Sequence, residues 1–480
     1  MLLRHSFYYL FARGLPGLLS FAALMLYTRL LTAADFGRYA VVLAGVGLVH
    51  VLVFQWLQLV LARFLPVHRD APHAVLQPIL ALFLLLAGLV SGVGFVLALL
   101  WPDPVWQSLI ALAVTLTVAQ AWLQIDLTLA STQFAPARYG YLLGGKSLLA
   151  LLVGGWFAWL GLGALAPLIG LLVGTVFAWL LFGFGTWRGV RPRWPTPPVL
   201  REYSAYGLPL MITFALYWVI ESSDRILITW LLNEAATGVY AAGYDLAQQS
   251  LGLALVVVNT AAYPLVIHQL ERHGETAASA QLGRNGELIV TLALAGAAGL
   301  IALGPALVEI VIGEAFRADA IVVMPWIAAA AAVAGIKAFH LDIAFHLTRE
   351  SGWQAYIGVV TAIVNVALNF LLIPRYGILG AAWATLAAFT LAALVSGWLG
   401  RRVFPMPAFL PLLGRGLAVA ALAYLGAWLI MQTSLGALAT LVLGIAAGGG
   451  LALVGALLLD VAGIKRSMLA RIRALFPRLN

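Results

Sequence analysis

A glycine-rich stretch in the first third of the chain has the spacing of a phosphate-binding loop. GYLLGGKS, residues 140–147, fits the pattern G-x-x-x-x-G-K-[ST], in which backbone N–H groups cradle phosphates. Leu457, Leu458 and Leu459 run into Asp460, which loosely resembles the strand that carries the partner aspartate of such sites. However, the polar QFAPAR precedes the stretch, where a buried strand should lie, and LLALLVGGWFAWL follows it directly. The surroundings therefore predict that GYLLGGKS lies in or at the start of a membrane helix and matches the nucleotide pattern by coincidence.

The composition predicts a membrane protein with many spans. Hydrophobic residues make up 63% of the 480 residues and charged residues 9%, against roughly 45–50% and about 25% in soluble domains. A soluble protein of this composition would have too little polar surface to stay in solution. The chain has no cysteine, which excludes disulfides and thiolate metal sites. No cofactor, no metal site and no nucleic-acid partner is predicted, although the net charge is +9.

Fourteen apolar runs are long enough to cross a bilayer as helices, which takes about 20 residues. The predicted fold class is therefore an all-α polytopic membrane protein with about 14 transmembrane helices. The seventh run begins near residue 205, and the eighth and ninth cover roughly 239–263 and 287–312. The spacings Gly88/Gly92 and Gly170/Gly174 predict close packing between helices.

The basic residues predict the orientation. With the N-terminus inside, 20 of the 27 lysines and arginines fall in inner loops and tails, 4 fall outside and 3 lie within the spans. Inner loops of membrane proteins carry an excess of Lys and Arg. Both termini are therefore expected in the cytoplasm, with the chain in the bacterial cytoplasmic (inner) membrane.

A short phrase occurs twice and suggests an internal repeat. LTAADFGRYA (Leu31–Ala40) and LNEAATGVYA (Leu232–Ala241) both read L-x-x-A-x-x-G-x-Y-A, each between the first and second helix of a six-helix set. Because six is an even number, the two sets have the same orientation in the bilayer, as in transporters built from parallel repeats. The predicted organisation is a first lobe at 1–187, a cytoplasmic linker at 188–204, a second lobe at 205–400, two further helices at 401–460 and a tail at 461–480.

The tail is predicted to be basic and amphipathic. Ile464, Met468, Ile472 and Leu475 fall near one helical face, with five basic residues around them. Such a helix suits an anionic inner leaflet. A solvated tail that helps fix the topology is the alternative.

Three segments resemble a known family. RLLTAADFGRYAVV, SSDRILITWLLNEAATGVYAAGYDL and ALNFLLIPRYGILGAAWATL are similar to segments of the polysaccharide-transporter, or oligosaccharide-flippase, family. That family belongs to the multidrug/oligosaccharidyl-lipid/polysaccharide exporter superfamily. The resemblance implies two six-helix lobes around a central cavity, and the passage of undecaprenyl-diphosphate-linked sugars between leaflets. It also implies a polysaccharide polymerase and glycosyltransferases as partners in the same pathway.

Seven ionisable residues within the spans are candidate site residues, because a charge in hydrocarbon usually faces a cavity or a partner. In the seventh helix, Glu221, Asp224 and Arg225 share one face. They could form an ion pair between helices, or Arg225 could contact a diphosphate while Glu221 or Asp224 binds a coupling cation. The other candidates are the substrate-binding cations Lys146 and Lys337 and the ion-coupling acids Asp126 and Asp342. Lys146 could instead reach the cytoplasmic surface, and the two acids could pair locally.

Three functions fit these patterns. The favoured one is a flippase that moves a lipid-linked oligosaccharide (a polysaccharide or O-antigen repeat unit) by alternating access, driven by an ion gradient and without enzymatic chemistry. A drug or cation antiporter of the same superfamily is the alternative. Such an antiporter is expected to have a carboxylate-rich cavity for cationic substrates, whereas this chain has embedded cations beside its acids. A membrane-embedded polymerase or ligase fits least, because every predicted outer loop is shorter than about 20 residues.

Overall fold

The computed structural model describes residues 2–348 and 350–466, of which 2–14 and 351 are described by their backbone alone. This part of the chain is helical and contains no strand. A π-helical turn, Lys337–Leu341, lies between α10 and α11. The helices are α1 (Leu2–Leu30), α2 (Ala33–Val53), α3 (Gln55–Phe64), α4 (His73–Leu100), α5 (Pro104–Thr132), α6 (Pro136–Trp159), α7 (Leu165–Phe182), α8 (Pro197–Leu231), α9 (Glu234–Val311), α10 (Glu314–Ile336), α11 (Ile343–Leu347), α12 (Ser351–Tyr376), α13 (Ile378–Val403), α14 (Phe409–Met431) and α15 (Ala437–Leu458).

The predicted fold class is confirmed. Within the described residues, 12 helical segments are long and apolar enough to cross a membrane. One of them, the 78-residue α9, is two helices joined at Gly274. A shorter apolar helix covers Leu15–Leu30. With α9 counted as two and this helix added, the described residues account for the fourteen predicted runs.

The segment between the eighth and ninth predicted runs is helical. Helix continues from Glu234 through Pro264 to His273 and resumes after Gly274, whose φ of 79° and ψ of −173° only glycine adopts readily. One glycine is therefore enough to reverse the chain. At 1.5 Å per residue, the arm 234–273 is about 60 Å long, roughly twice the hydrocarbon thickness of about 30 Å. The tip of this helical hairpin therefore extends beyond the bilayer core.

Helix α8 also begins earlier than the predicted start at 205. Pro197 and Pro198 form its first turn and Thr196 precedes it. Proline is well suited to that position because the first N–H groups of a helix have no partner within it. The cluster of prolines thus marks a helix start as well as a loop.

The chain divides into two compact units, residues Met1–Ala241 and Ala242–Asn480. In the first unit α6 packs against α1 and α7, and α8 packs against α2 and α3. In the second unit α12 packs against α13 and α14 against α15. The division into lobes at 1–187 and 205–400 remains a prediction.

The glycine spacings give one confirmed and one wrong prediction. On α7, a Cβ at Gly170 would lie 2.5 Å from the carbonyl oxygen of Ala150, and one at Gly174 would lie 2.5 Å from that of Lys146, so α6 and α7 do pack closely. Nothing lies within 4 Å of a Cβ placed on Gly88 or Gly92. Those two glycines are exposed on α4 and make no helix contact.

The two parts of the apparent nucleotide motif lie in helical surroundings, as predicted. Residues 140–147 are inside α6, and Asp460 follows the end of α15, where its carboxylate pairs with Arg466 at 2.6 Å. Most of the predicted amphipathic tail, including Met468, Ile472 and Leu475, lies outside the described residues.

Candidate functional site

The two copies of the repeated phrase meet in the first unit. A Cβ on Gly37 would overlap the carbonyl oxygen of Glu234, and one on Gly238 would overlap that of Ala33. These glycines hold equivalent positions in the two phrases. The first turns of α2 and α9 therefore touch backbone to backbone, and only glycine permits this approach.

Each phrase also caps the helix that it begins. Thr32 Oγ1 accepts a hydrogen bond from Asp35 N at 3.1 Å, and Asn233 Oδ1 accepts one from Ala236 N at 2.8 Å. Such caps satisfy N–H groups that have no partner within the helix. The repeated phrase is thus a helix start with a glycine contact surface.

An ion cluster lies beside this contact, and sequence reasoning missed it. Arg38 Nε lies 2.6 Å from Glu234 Oε2, and Arg38 Nη1 lies 3.4 Å from Asp35 Oδ1. Trp106 Nε1 on α5 donates to Glu234 Oε1 at 2.9 Å. Arg38 and Asp35 belong to the first phrase and Glu234 to the second, so the repeat itself was the signal that could have found them.

The acids of α8 are hydrogen-bonded to tyrosines. Tyr240 donates its hydroxyl to Asp224 Oδ2 at 2.6 Å, and Tyr217 donates to Glu221 Oε1 at 2.7 Å. Asp224 is only 1% exposed, whereas Glu221 and Arg225 are half-buried. The three charged residues lie within about one turn of α8.

Asp126 on α5 has two local partners. Its Oδ1 atom pairs with Arg138 Nη2 and accepts a hydrogen bond from Trp187 Nε1 at 2.9 Å. The carboxylate is fully buried. This is the local pairing that the sequence left open for Asp126.

Lys337 and Asp342 pair with each other across the π-helical turn. Lys337 Nζ donates to Asp342 Oδ2 at 2.6 Å, and the two side chains are 18% and 9% exposed. A π turn inserts one extra residue into a helix and often marks a functional site. Within the turn, His340 is fully buried and stacks on Phe409.

Lys146 differs from the other candidates because it is half-buried on α6 and no acid compensates it. Among the described residues, no carboxylate lies within ion-pair distance of its ammonium, and no hydrogen bond to it is found. Lys146 and the charges of α8 belong to the first unit, and Lys337 and Asp342 to the second. In residues 2–348 and 350–466, no three acidic or histidine side chains come together as metal ligands.

Comparison with known proteins gives one family match and several matches of fold. Residues 26–321 match a family model described as "Polysaccharide biosynthesis protein". The solved structure of the lipid II flippase MurJ in an inward closed conformation matches with a TM-score of 0.73 at 12% identity, over 94% of this chain and 98% of that one. No protein of curated function matches the sequence.

Two transporter structures are also similar. A MOP superfamily transporter from Pyrococcus furiosus matches with a TM-score of 0.60 at 13% identity, over 83% of this chain and 94% of that one. An outward-facing multidrug resistance MATE family transporter matches with a TM-score of 0.59 at 13% identity and the same coverage. At these identities the similarity shows a shared fold.

Proposed function

Since the chain belongs to the polysaccharide biosynthesis protein family and has the fold of membrane flippases and transporters, we propose that it translocates a lipid-linked oligosaccharide. The substrate is an undecaprenyl-diphosphate carrier bearing a polysaccharide or O-antigen repeat unit. It crosses the cytoplasmic membrane from the inner to the outer leaflet. The structural relative that is a lipid II flippase supports a substrate of this class.

The observation that carries the proposal is the environment of Lys146. An embedded charge without a partner is unfavourable in a membrane protein, so such residues usually serve a ligand or a pathway. A diphosphate has several negative charges and accepts strong, charge-assisted hydrogen bonds. Lys337 must break its ion pair with Asp342 before it can bind such a group, whereas Lys146 has no ion pair to break among the described residues.

The other candidate residues take secondary roles. Arg225 is the second cation for the diphosphate, and Lys337 is the third, which must first leave Asp342. Glu221 and Asp224 are the first choice for the coupling cation, because both lie on α8 beside Arg225 and each accepts a hydrogen bond from a neutral tyrosine hydroxyl. Asp126 and Asp342 would each have to release a basic partner first.

The movement proposed is alternating access. The sugar-diphosphate head enters a central cavity between the lobes while the lipid tail stays in the bilayer, and rocking of the lobes exposes the head on the other side. No covalent bond changes. In the predicted orientation, the contact between Gly37 and Gly238 closes the outer side and separates when that side opens.

The proposal is tested with the purified protein in liposomes. A fluorescent polyprenyl-diphosphate sugar is placed in one leaflet, and its arrival in the other is followed by digestion with an added glycosidase. We expect translocation by the wild-type protein and a large loss in Lys146→Met. A proton or sodium gradient should change the rate if coupling occurs. Transport of cationic dyes without sugar translocation would instead establish the antiporter alternative.

A further inference from the structure

The first unit contains an apolar cavity that the proposed transport function does not use. It has a volume of about 640 Å³ and lies between α2, α4 and α5. That volume is within the range of roughly 300–1,000 Å³ that is typical of ligand pockets. Its walls are almost entirely aliphatic and include Val41, Gly45, Val49, Val93, Leu97 and Ile110.

The length of the cavity corresponds to one leaflet of a bilayer. Along α5 its lining runs from Trp106 to Thr117, which is about 16 Å at a rise of 1.5 Å per residue. Half of a hydrocarbon core of about 30 Å is close to that length. Through Leu97 and Trp106 the cavity reaches the turn between α4 and α5, on the side that the charge distribution predicts to be outer.

The walls offer no hydrogen bond to an occupant. Thr117 donates its hydroxyl to Ala113 O at 2.7 Å, and Trp106 donates its indole N–H to Glu234. A lining of this kind favours an apolar occupant, because a polar one would lose its hydrogen bonds there. In a membrane-spanning chain, the available apolar molecule is a hydrocarbon chain of a lipid.

The mouth of the cavity is charged. Asp35 and Arg38 lie on the same stripe of α2 as the lining residues Val42 and Val49, one to two turns closer to the helix start. Trp106 connects the cavity wall to Glu234, which pairs with Arg38. These charged side chains are 22% to 27% exposed.

The charge of this cluster determines which lipid headgroup can bind at the mouth of the cavity. Two carboxylates surround one guanidinium, so the mouth carries one net negative charge. A diphosphate or another purely anionic headgroup would be repelled there. A headgroup with both an ammonium and a phosphate can place the ammonium against Asp35 and Glu234 and the phosphate against Arg38.

We propose that this cavity binds one acyl chain of a phospholipid with a primary-amine headgroup, of the phosphatidylethanolamine type. The inference does not rest on the transport function. Because Arg38 and Glu234 come from the two repeated phrases, the bound headgroup touches both helix starts where they meet.

Binding to the purified full chain in detergent tests the proposal. Phosphatidylethanolamine and phosphatidylglycerol with identical acyl chains are titrated, and occupancy is read by native mass spectrometry. We expect phosphatidylethanolamine to bind about fivefold more tightly, which corresponds to one partly exposed ion pair. Equal binding, or a preference for phosphatidylglycerol, would overturn the assignment of the headgroup.

Two matched glycine variants test the place of binding. A Cβ on Gly45 has nothing within 4 Å, so the side chain of Gly45→Phe starts in open space at the cavity wall. Gly92 on α4 is equally open but does not line the cavity. We expect Gly45→Phe to weaken phosphatidylethanolamine binding at least about tenfold and Gly92→Phe to leave it unchanged. Equal effects of the two variants would show that the lipid binds elsewhere.

Glu234→Gln provides a measurement that does not depend on Gly45→Phe folding. It removes a carboxylate from the mouth and leaves the apolar walls intact. The preference for phosphatidylethanolamine over phosphatidylglycerol should then disappear while both lipids still bind. An unchanged preference would contradict the role of the mouth. Displacement of phosphatidylethanolamine by undecaprenyl phosphate at equal concentration would show that the cavity holds a carrier tail instead.

Discussion

Lys146 and Lys337 are both lysines within apolar helices, but their surroundings differ. Lys337 lies in a π turn, where its ammonium is 2.6 Å from Asp342 Oδ2. Lys146 lies in a regular stretch of α6 and has no such partner in the part of the chain described. A paired charge contributes to folding and an uncompensated one remains available to a ligand. Burial alone therefore does not distinguish a structural charge from a functional one.

The largest loss of stability is expected at Asp126, whose carboxylate is fully buried in its ion pair with Arg138. Asp126→Asn removes the charge that compensates Arg138, and breaking a buried pair costs about 3–5 kcal/mol. The free energy of unfolding in detergent should fall by that order. Asp460→Asn, at the exposed pair with Arg466, serves as control and should change it by less than about 1 kcal/mol. A stable Asp126→Asn protein that cannot translocate would assign Asp126 to ion coupling.

A smaller loss of stability is expected for Lys337. Lys337→Met leaves Asp342 without its partner, and we expect about 2 kcal/mol of destabilisation because both side chains keep some access to solvent. The double variant Lys337→Met/Asp342→Leu should recover most of it, since no charge is then left alone. Thermal unfolding of the two purified variants measures both values. No recovery in the double variant would mean that Lys337 has a role beyond this pair.

Lys146→Met should slow translocation without lowering the stability of the protein. Loss of a charged hydrogen bond of about 1.5–3 kcal/mol corresponds to roughly 10- to 100-fold slower translocation of the lipid-linked sugar at low substrate concentration. Stability should be unchanged or higher, because no partner is left uncompensated. Unfolding and liposome translocation are measured on the same preparation. Loss of the folded protein would show that Lys146 is structural.

The smallest effect is expected for Lys146→Arg. Arginine keeps the positive charge and binds phosphate groups, although its planar guanidinium differs in shape from an ammonium. We expect translocation within about threefold of the wild type, or roughly 0.7 kcal/mol. A loss as large as that of Lys146→Met would mean that shape, and not charge, determines the role of this position.

The sequence predicts the fold well because the length of an apolar run determines whether it can cross a bilayer. The same rule fails where a helix continues beyond the membrane, as in the arm of α9 that ends at His273. There the predicted apolar run ends near residue 263, but polar residues can continue as a solvated helix, and one glycine is enough to reverse the chain.

The candidate site was less predictable because partners lie far apart in the sequence. Asp126 was found as an embedded acid, but its contact with Trp187 depends on how α5 packs near the end of α7. Spacing along one helix predicts that Glu221 and Asp224, three residues apart, share a face. It could not predict that Tyr240 of the next helix would donate to Asp224.

The contact between Gly37 and Gly238 has a consequence for motion. Most helix contacts interlock side chains, and each separation then frees and later re-orders their rotamers. A surface made of two glycines has no rotamers to order, because the side-chain entropy of glycine is zero. At this contact the cost of ordering side chains therefore falls on the neighbouring cluster of Arg38, Glu234 and Trp106, and not on the glycines themselves.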